Sequence, residues 1–194
     1  IVNILPIDPG VSIAALMPID APDEEWGNLH IVFATDAGGV RRNALSDFTN
    51  VKSNGKIAMK LQDGDNLVGV LPCSDDNDVL MASRNGKAIR FAANAVRVFK
   101  GRDSTGVRGI RLLGNDRVVS MSIITDEASE YILSVTENGY GKRTQVSDYR
   151  RSGRGGQGVA NIETSERNGQ VMASFTVVEE DQLMLVTNMG QVIR

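Results

Sequence analysis

Cysteine occurs once in the 194 residues, as Cys73, and histidine once, as His30. A single cysteine excludes an internal disulfide, and one residue of each type is too few for a Cys/His zinc site. Aromatic residues are scarce, at nine, and most fall inside apolar runs, which argues against recognition of single strands by base stacking. No apolar run approaches the ~18 residues a helix needs to cross a bilayer, and Ile1–Leu5 lacks the basic flank of a signal peptide. No Gly-x-x-x-x-Gly-Lys-Ser/Thr loop is present to hold a nucleotide phosphate. Asp75-Asp76-Asn77-Asp78 lacks the glycine and distal glutamate of an EF-hand loop and reads as a solvated turn. His30 has no nucleophile motif beside it, so a catalytic role is not expected. The first residue is not Met and the chain stops at Arg194 within an apolar strand pattern, so an excised piece of a longer protein is expected. The remaining composition, 41% hydrophobic and 23% charged with a net charge of −3, is that of an ordinary globular protein.

What the chain does contain is a repeat. Glycines at Gly38, Gly86, Gly139 and Gly190 each follow an apolar run, namely Ile31–Ala34, Val79–Ala82, Tyr131–Ser134 and Leu183–Val186. Four residues after each glycine stands an arginine: Arg42, Arg90, Arg143 and Arg194. Ser46-Asp47-Phe48 and Ser147-Asp148-Tyr149 recur in the same phase, and so does a second glycine series at Gly55, Gly106 and Gly158. A period near fifty residues marks a tandem architecture. Within one period the pattern is that of short strands and tight turns: Lys56–Leu61 extended, a turn at Asp63-Gly64, then Leu67–Leu71, Val79–Ser83, a turn at Asn85-Gly86, and Lys87–Phe91. Asn-Gly and Asp-Gly between such runs signal hairpins, because a type I′ turn needs positive φ at both central residues. The expected fold is all-β, a propeller-like array of four-stranded antiparallel blades. The expected units are 1–54, 55–105, 106–157 and a truncated 158–194, about four blades in all, with Ile1–Leu5 as the first strand. Residues 92–105 and 145–157 are expected as the longer loops between blades.

Charge follows the same period. Residues 1–40 carry six acids and no Lys or Arg; 41–60 then sum to +4, 61–80 to −5, 81–111 to +7, 112–141 to −4 and 142–154 to +4. A property that recurs with the structural period recurs at one place on each blade, so the positive charge should form a band along one rim. A stripe of Lys and Arg is the electrostatic footprint of a nucleic-acid surface, whatever the net charge. With stacking partners few, contact with the duplex backbone is the expected mode.

Three strings then carry a family resemblance: Ser104-Thr105-Gly106-Val107-Arg108-Gly109-Ile110-Arg111-Leu112, Glu137-Asn138-Gly139-Tyr140-Gly141-Lys142-Arg143-Thr144 and Gly55-Lys56-Ile57-Ala58-Met59-Lys60-Leu61. They resemble the C-terminal domain of bacterial DNA gyrase A, and the likeness extends over essentially the whole chain. The resemblance implies a β-pinwheel, a propeller variant whose neighbouring blades share strands. It also implies a non-catalytic role in wrapping double-stranded DNA, so that an ATP-dependent type II topoisomerase introduces negative supercoils. The partners implied are DNA, the catalytic region of gyrase A, and gyrase B in an A2B2 holoenzyme, in the bacterial cytoplasm at the nucleoid and with no membrane. No cofactor is expected here, since ATP and Mg would be used elsewhere in that holoenzyme. The family's box, Gln-Arg-Arg-Gly-Gly-Lys-Gly, has no intact copy. Ser152–Gly158 resembles a degenerate one that keeps Arg154, Gly155, Gly156 and Gly158.

The residues expected to meet DNA are the repeat-phase arginines Arg42, Arg90 and Arg143, with Arg41 and Lys142 beside them. Lys100, Arg102, Arg108, Arg150, Arg151 and Arg154 of the loops complete the set. Two alternatives stay open at this point: the corresponding C-terminal domain of topoisomerase IV, and a propeller scaffold whose basic rim docks an acidic protein.

Overall fold

The structure, a computed structural model, describes residues 13–19, 22–49 and 55–194, so the expected first strand at Ile1–Leu5 lies outside the described residues. Among the described residues every regular element is a strand or a short 3-10 turn. None of their helices is long and apolar enough to cross a membrane.

Three hairpins form the frame, each closed at one of the predicted glycine turns. They are β1 (His30–Thr35) with β2 (Gly39–Ala44), β4 (Asp78–Ser83) with β5 (Lys87–Ala92), and β8 (Tyr131–Thr136) with β9 (Gly141–Gln145). Gly38, Gly86 and Gly139 adopt φ of +88°, +79° and +81°, the left-handed region that L side chains avoid. The long strands β3 (Leu67–Cys73), β7 (Val118–Ile124) and β11 (Val171–Val177) add to β1, β4 and β8 respectively, all antiparallel. These three strands also contact one another in sequence, β3 with β7 and β7 with β11, so they lie on the inner side of the array. At the opposite edge, the two-residue strands β6 (Val107–Arg108) and β10 (Val159–Ala160) pair with β2 and β5.

The sheets therefore read β3-β1-β2-β6, β10-β5-β4-β7 and β11-β8-β9, followed by a lone hairpin of β12 (Leu185–Val186) and β13 (Val192–Ile193). Each four-stranded sheet draws its inner strand from the next sequence repeat and its outer strand from the one after. Sheet and repeat are thus out of phase. Lys56–Leu61, expected to be a strand, has no ladder partner among the described residues and is irregular, whereas its in-phase equivalents at 107–108 and 159–160 are paired.

Alternation along β4 explains how the blades stack. Successive side chains point to opposite faces of a strand. Val79 and Met81 pack toward the first sheet with Val32, Val40, Ile89 and Phe91, while Leu80 and Ala82 pack toward the third with Ile132, Val146 and Tyr149. Because both faces are covered, β4 is buried over its whole length, and an unbroken apolar run suits it better than polar alternation. The remaining face of the first sheet packs Ile31, Phe33 and Leu45 against Met17, Trp26 and Leu29.

Cys73 ends β3, opposite His30 and only 3% exposed. Burial pushes its thiol up to about 11, with the Asp75 carboxylate adding to the shift and Arg42 opposing it. At pH 8 almost none is thiolate, the reactive form. The native chain should therefore resist a chromogenic disulfide reagent at pH 8 and titrate one thiol after urea is added; rapid native labelling would contradict this burial.

Candidate nucleic-acid interface

The outer edge is built from β6, β10 and the loops that lead into them. After β5 a 3-10 turn, Ala93–Ala95, turns the chain into the 96–106 loop, and after β9 the equivalent turn, Val146–Asp148, begins the 149–158 loop. Both loops then run alongside the strand of the preceding blade. The Phe99 amide donates to the Arg42 carbonyl (2.8 Å), and the Ser152 amide donates to the Arg90 carbonyl (2.9 Å). The two loops are therefore held at equivalent places, one blade apart.

Here the structure corrects three expectations. Arg41, Arg42 and Arg90 are 0%, 4% and 5% exposed and do not lie on an open rim. The Arg42 guanidinium donates from Nε to the Val96 carbonyl (2.8 Å) and pairs through Nη1 with Asp75 (2.5 Å). Arg90 repeats the arrangement: Nε to Asp78 and Nη2 to Glu127, both 2.7 Å, with Nη1 donating to the carbonyls of Val146 and Tyr149. A buried guanidinium needs this saturation, because desolvating it without partners is strongly unfavourable. Burial alone would lower the Arg90 pKa, but its bonds to Glu127 and Asp78 more than offset this and hold it above the ordinary value. The same contact holds the Glu127 carboxyl below the usual carboxylate range. Its contribution to the blade contact is present above the ordinary pKa of a glutamate and is lost as pH falls through the lowered value. These arginines are latches between blades, and their recurrence reflects the recurrence of the contact.

Arg143 occupies the same repeat position in the third hairpin but is about half exposed. It pairs with Glu179 at 2.9 Å and lies over the Tyr131 ring at 4.5 Å. Lys142 beside it is exposed. Both stand on β9, the edge strand of the third sheet.

Most of the loop residues are solvent-exposed. Lys100, Arg108, Arg150, Arg151 and Arg154 are exposed, and Arg102 is half-buried, with Nη1 lacking a hydrogen-bond partner among the described residues. Arg108 stands on β6 itself. Arg151 is anchored through Nη2 to Asp78 (2.7 Å), yet half of its side chain remains accessible. Arg154 fastens its loop to the blade before it, donating to the carbonyls of Ala95 (3.0 Å) and Arg108 (3.1 Å). A buried polar network steadies the start of this loop: the Tyr149 hydroxyl donates to Asn161 Oδ1 (2.5 Å), and Asn161 bonds Ser134, which bonds Ser174.

Two exposed cations escape a residue-by-residue reading of the sequence. Arg97 lies over the Phe99 ring at 4.2 Å, and the Arg111 amide donates to the Gly156 carbonyl (2.7 Å), beside the glycine-rich loop. Both belong to the +7 block at 81–111, so the block sum held the signal. Among the described residues no cluster of three or more His, Cys, Asp or Glu suited to a metal ion occurs. The arrangement offers a packed core, two loops of cations on the outer edge, and glycine-rich backbone beside them. It is suited to a polyanion.

The profile described as the DNA gyrase C-terminal domain, beta-propeller, matches residues 29–74, 77–125 and 130–177. DNA gyrase A of Granulibacter bethesdensis is 39% identical over 254 residues, an alignment that takes in 100% of this chain and 27% of that protein. The Salmonella typhimurium protein of the same name is 42% identical over 194 residues, 100% of this chain and 21% of that one. The chain thus spans about a quarter of the length of these relatives. Among solved structures, a DNA gyrase A C-terminal domain superposes with a TM-score of 0.75 at 28% identity, covering 86% of this chain and 55% of that one. The C-terminal domain of DNA topoisomerase IV superposes with a TM-score of 0.86 at 24% identity, covering 98% and 58%, a likeness of fold.

Proposed function

Because this chain belongs to the DNA gyrase C-terminal β-propeller domain family, we propose that it binds duplex DNA along its outer edge and bends it, without itself catalysing a reaction. In this reading the bent segment is presented to the strand-passage core of a gyrase holoenzyme, the A2B2 assembly of gyrase A and gyrase B, for ATP-dependent negative supercoiling. ATP and Mg act elsewhere in that assembly, and the setting is the bacterial cytoplasm and its nucleoid DNA. The observation that carries the proposal is the placement of Lys100, Arg102, Arg150, Arg151 and Arg154 on two equivalent loops at the outer edge, one blade apart, with Arg108 on β6 beside them.

Phosphate contacts from such loops position DNA without reading its sequence. Smooth bending of a 20 to 30 bp site by 40 to 90° costs on the order of 1 to 6 kcal/mol, which several such contacts can offset. If five of these side chains each neutralise one phosphate, log K should fall with log salt at a slope of about −4 to −5. A fluorescence titration of labelled duplex at several salt concentrations measures this directly. A flat salt dependence, or no binding at low salt, would remove duplex DNA as the ligand and favour a protein partner.

A further inference from the structure

We propose that Arg41 is a positioning residue, which builds the DNA-contact loop of the first blade from beneath without touching DNA. The inference rests on the outer-edge reading above. The Arg41 guanidinium is wholly buried and donates through Nε to Asn43 Oδ1 (2.7 Å) and through Nη1 to both the carbonyl (2.5 Å) and the hydroxyl (2.6 Å) of Ser104; Nη2 donates to the Gly101 carbonyl. Asn43 extends the clamp, its Nδ2 donating to the carbonyls of Phe99 (2.9 Å) and Gly101 (3.2 Å). Arg41 also lies 4.6 Å from the centre of the Phe99 ring, the same ring that Arg97 covers at 4.2 Å.

Three carbonyls of one short loop are thus fixed by two side chains of β2, and that loop carries Lys100 and Arg102. The planar fork of an arginine can hold several acceptors in one geometry, which the point charge of a lysine cannot. The repeat shows that the device belongs to this blade. Three and five residues after the turn glycine, the first hairpin has Arg41 and Asn43, the second Ile89 and Phe91, and the third Lys142 and Thr144. In the second blade the equivalent loop is instead fastened by its own Arg154. Polar side chains at two positions that are apolar and buried in the second hairpin are explained by the loop they hold.

The test is a double-mutant cycle in DNA binding, with Arg41→Lys made in the unaltered chain and in a Lys100→Ala, Arg102→Ala chain. Loss of two phosphate contacts should lower the salt slope by about 2 and the affinity about tenfold. Arg41→Lys keeps the charge, yet should reproduce most of that loss in the unaltered chain and add nothing in the doubly altered one. Unchanged binding, or an equal loss in both backgrounds, would overturn the proposal. Should Arg41→Lys fail to fold by circular dichroism, Ser104→Ala, at an exposed position, replaces it in the same cycle with a smaller, equally background-dependent loss. Hydrogen exchange separates the clamp from the ligand: the amides of residues 100–104 should exchange faster in Arg41→Lys whether or not DNA binds. Unaltered exchange would sink the clamp, while faster exchange without any DNA affinity would sink the outer-edge reading alone.

Discussion

Arg90→Met is expected to destabilise the chain by about 3–5 kcal/mol, the range for removing one partner from a buried ion pair. The loss follows from what is left behind. Asp78 is only 5% exposed, and without Arg90 it keeps only Arg151 as an ion-pair partner among the described residues. The carbonyls of Val146 and Tyr149 lose a donor in the same step, and these residues begin the loop that carries Arg150 and Arg151. Arg143→Met provides the internal comparison, because it alters the same repeat position in the next hairpin. There the side chains of Arg143 and Glu179 are 46% and 65% exposed, and an exposed pair contributes only about 0–1 kcal/mol. Urea denaturation of the two variants reads the difference as a shift in midpoint at constant slope. Equal shifts would mean that burial is not what distinguishes the two arginines.

Gly158→Ala should be nearly as damaging, for a different reason. Gly158 has φ of +74°, and a Cβ at this position would lie 2.3 Å from the Ala88 carbonyl oxygen and 2.7 Å from its carbon. Those are backbone atoms of β5, which cannot move aside without breaking the pairing of β10. A left-handed conformation costs a non-glycine residue about 1–2 kcal/mol, and the collision adds to it. Gly139→Ala isolates the first contribution, since its φ is +81° and nothing lies within 4 Å of the added atom. We expect the Gly139 variant to lose only the conformational part. The Gly158 variant should lose clearly more and also release the amides of Val159 and Ala160 to rapid exchange. Similar stabilities for both variants would show that β10 is not seated on β5 as described.

The contrast between these two glycines shows how far the local sequence can be read. Gly139 follows Asn138 between two short runs, and the turn it forms is dictated within four residues. Gly158 has the same local freedom, yet its need for glycine arises from Ala88, about seventy residues away in the chain. Likewise, nothing near Arg42 or Arg90 marks them as buried, and an arginine beside a strand is ordinarily a surface residue. A signal did exist at longer range. The acids that receive Arg42, Arg90 and Arg143 are Asp75, Glu127 and Glu179, and they recur in the same period as the arginines. A recurring cation with a recurring acid about 35 residues on marks a recurring ion pair, buried at Arg42 and Arg90 and exposed at Arg143, whereas the in-phase cations Arg97 and Arg150 pair with no acid among the described residues and stand exposed on the loops.

The amino-acid sequence by itself determined the all-β class, the fifty-residue period, the hairpins at Gly38, Gly86 and Gly139, and the phase of the basic loops, because each is a local property of turn chemistry, side-chain alternation or charge. Only the tertiary structure decided which repeat supplies each inner and outer strand, and which arginines face solvent. Both depend on contacts between residues tens of positions apart, where the closing of the blades, and not the preference of any short segment, sets what each side chain meets.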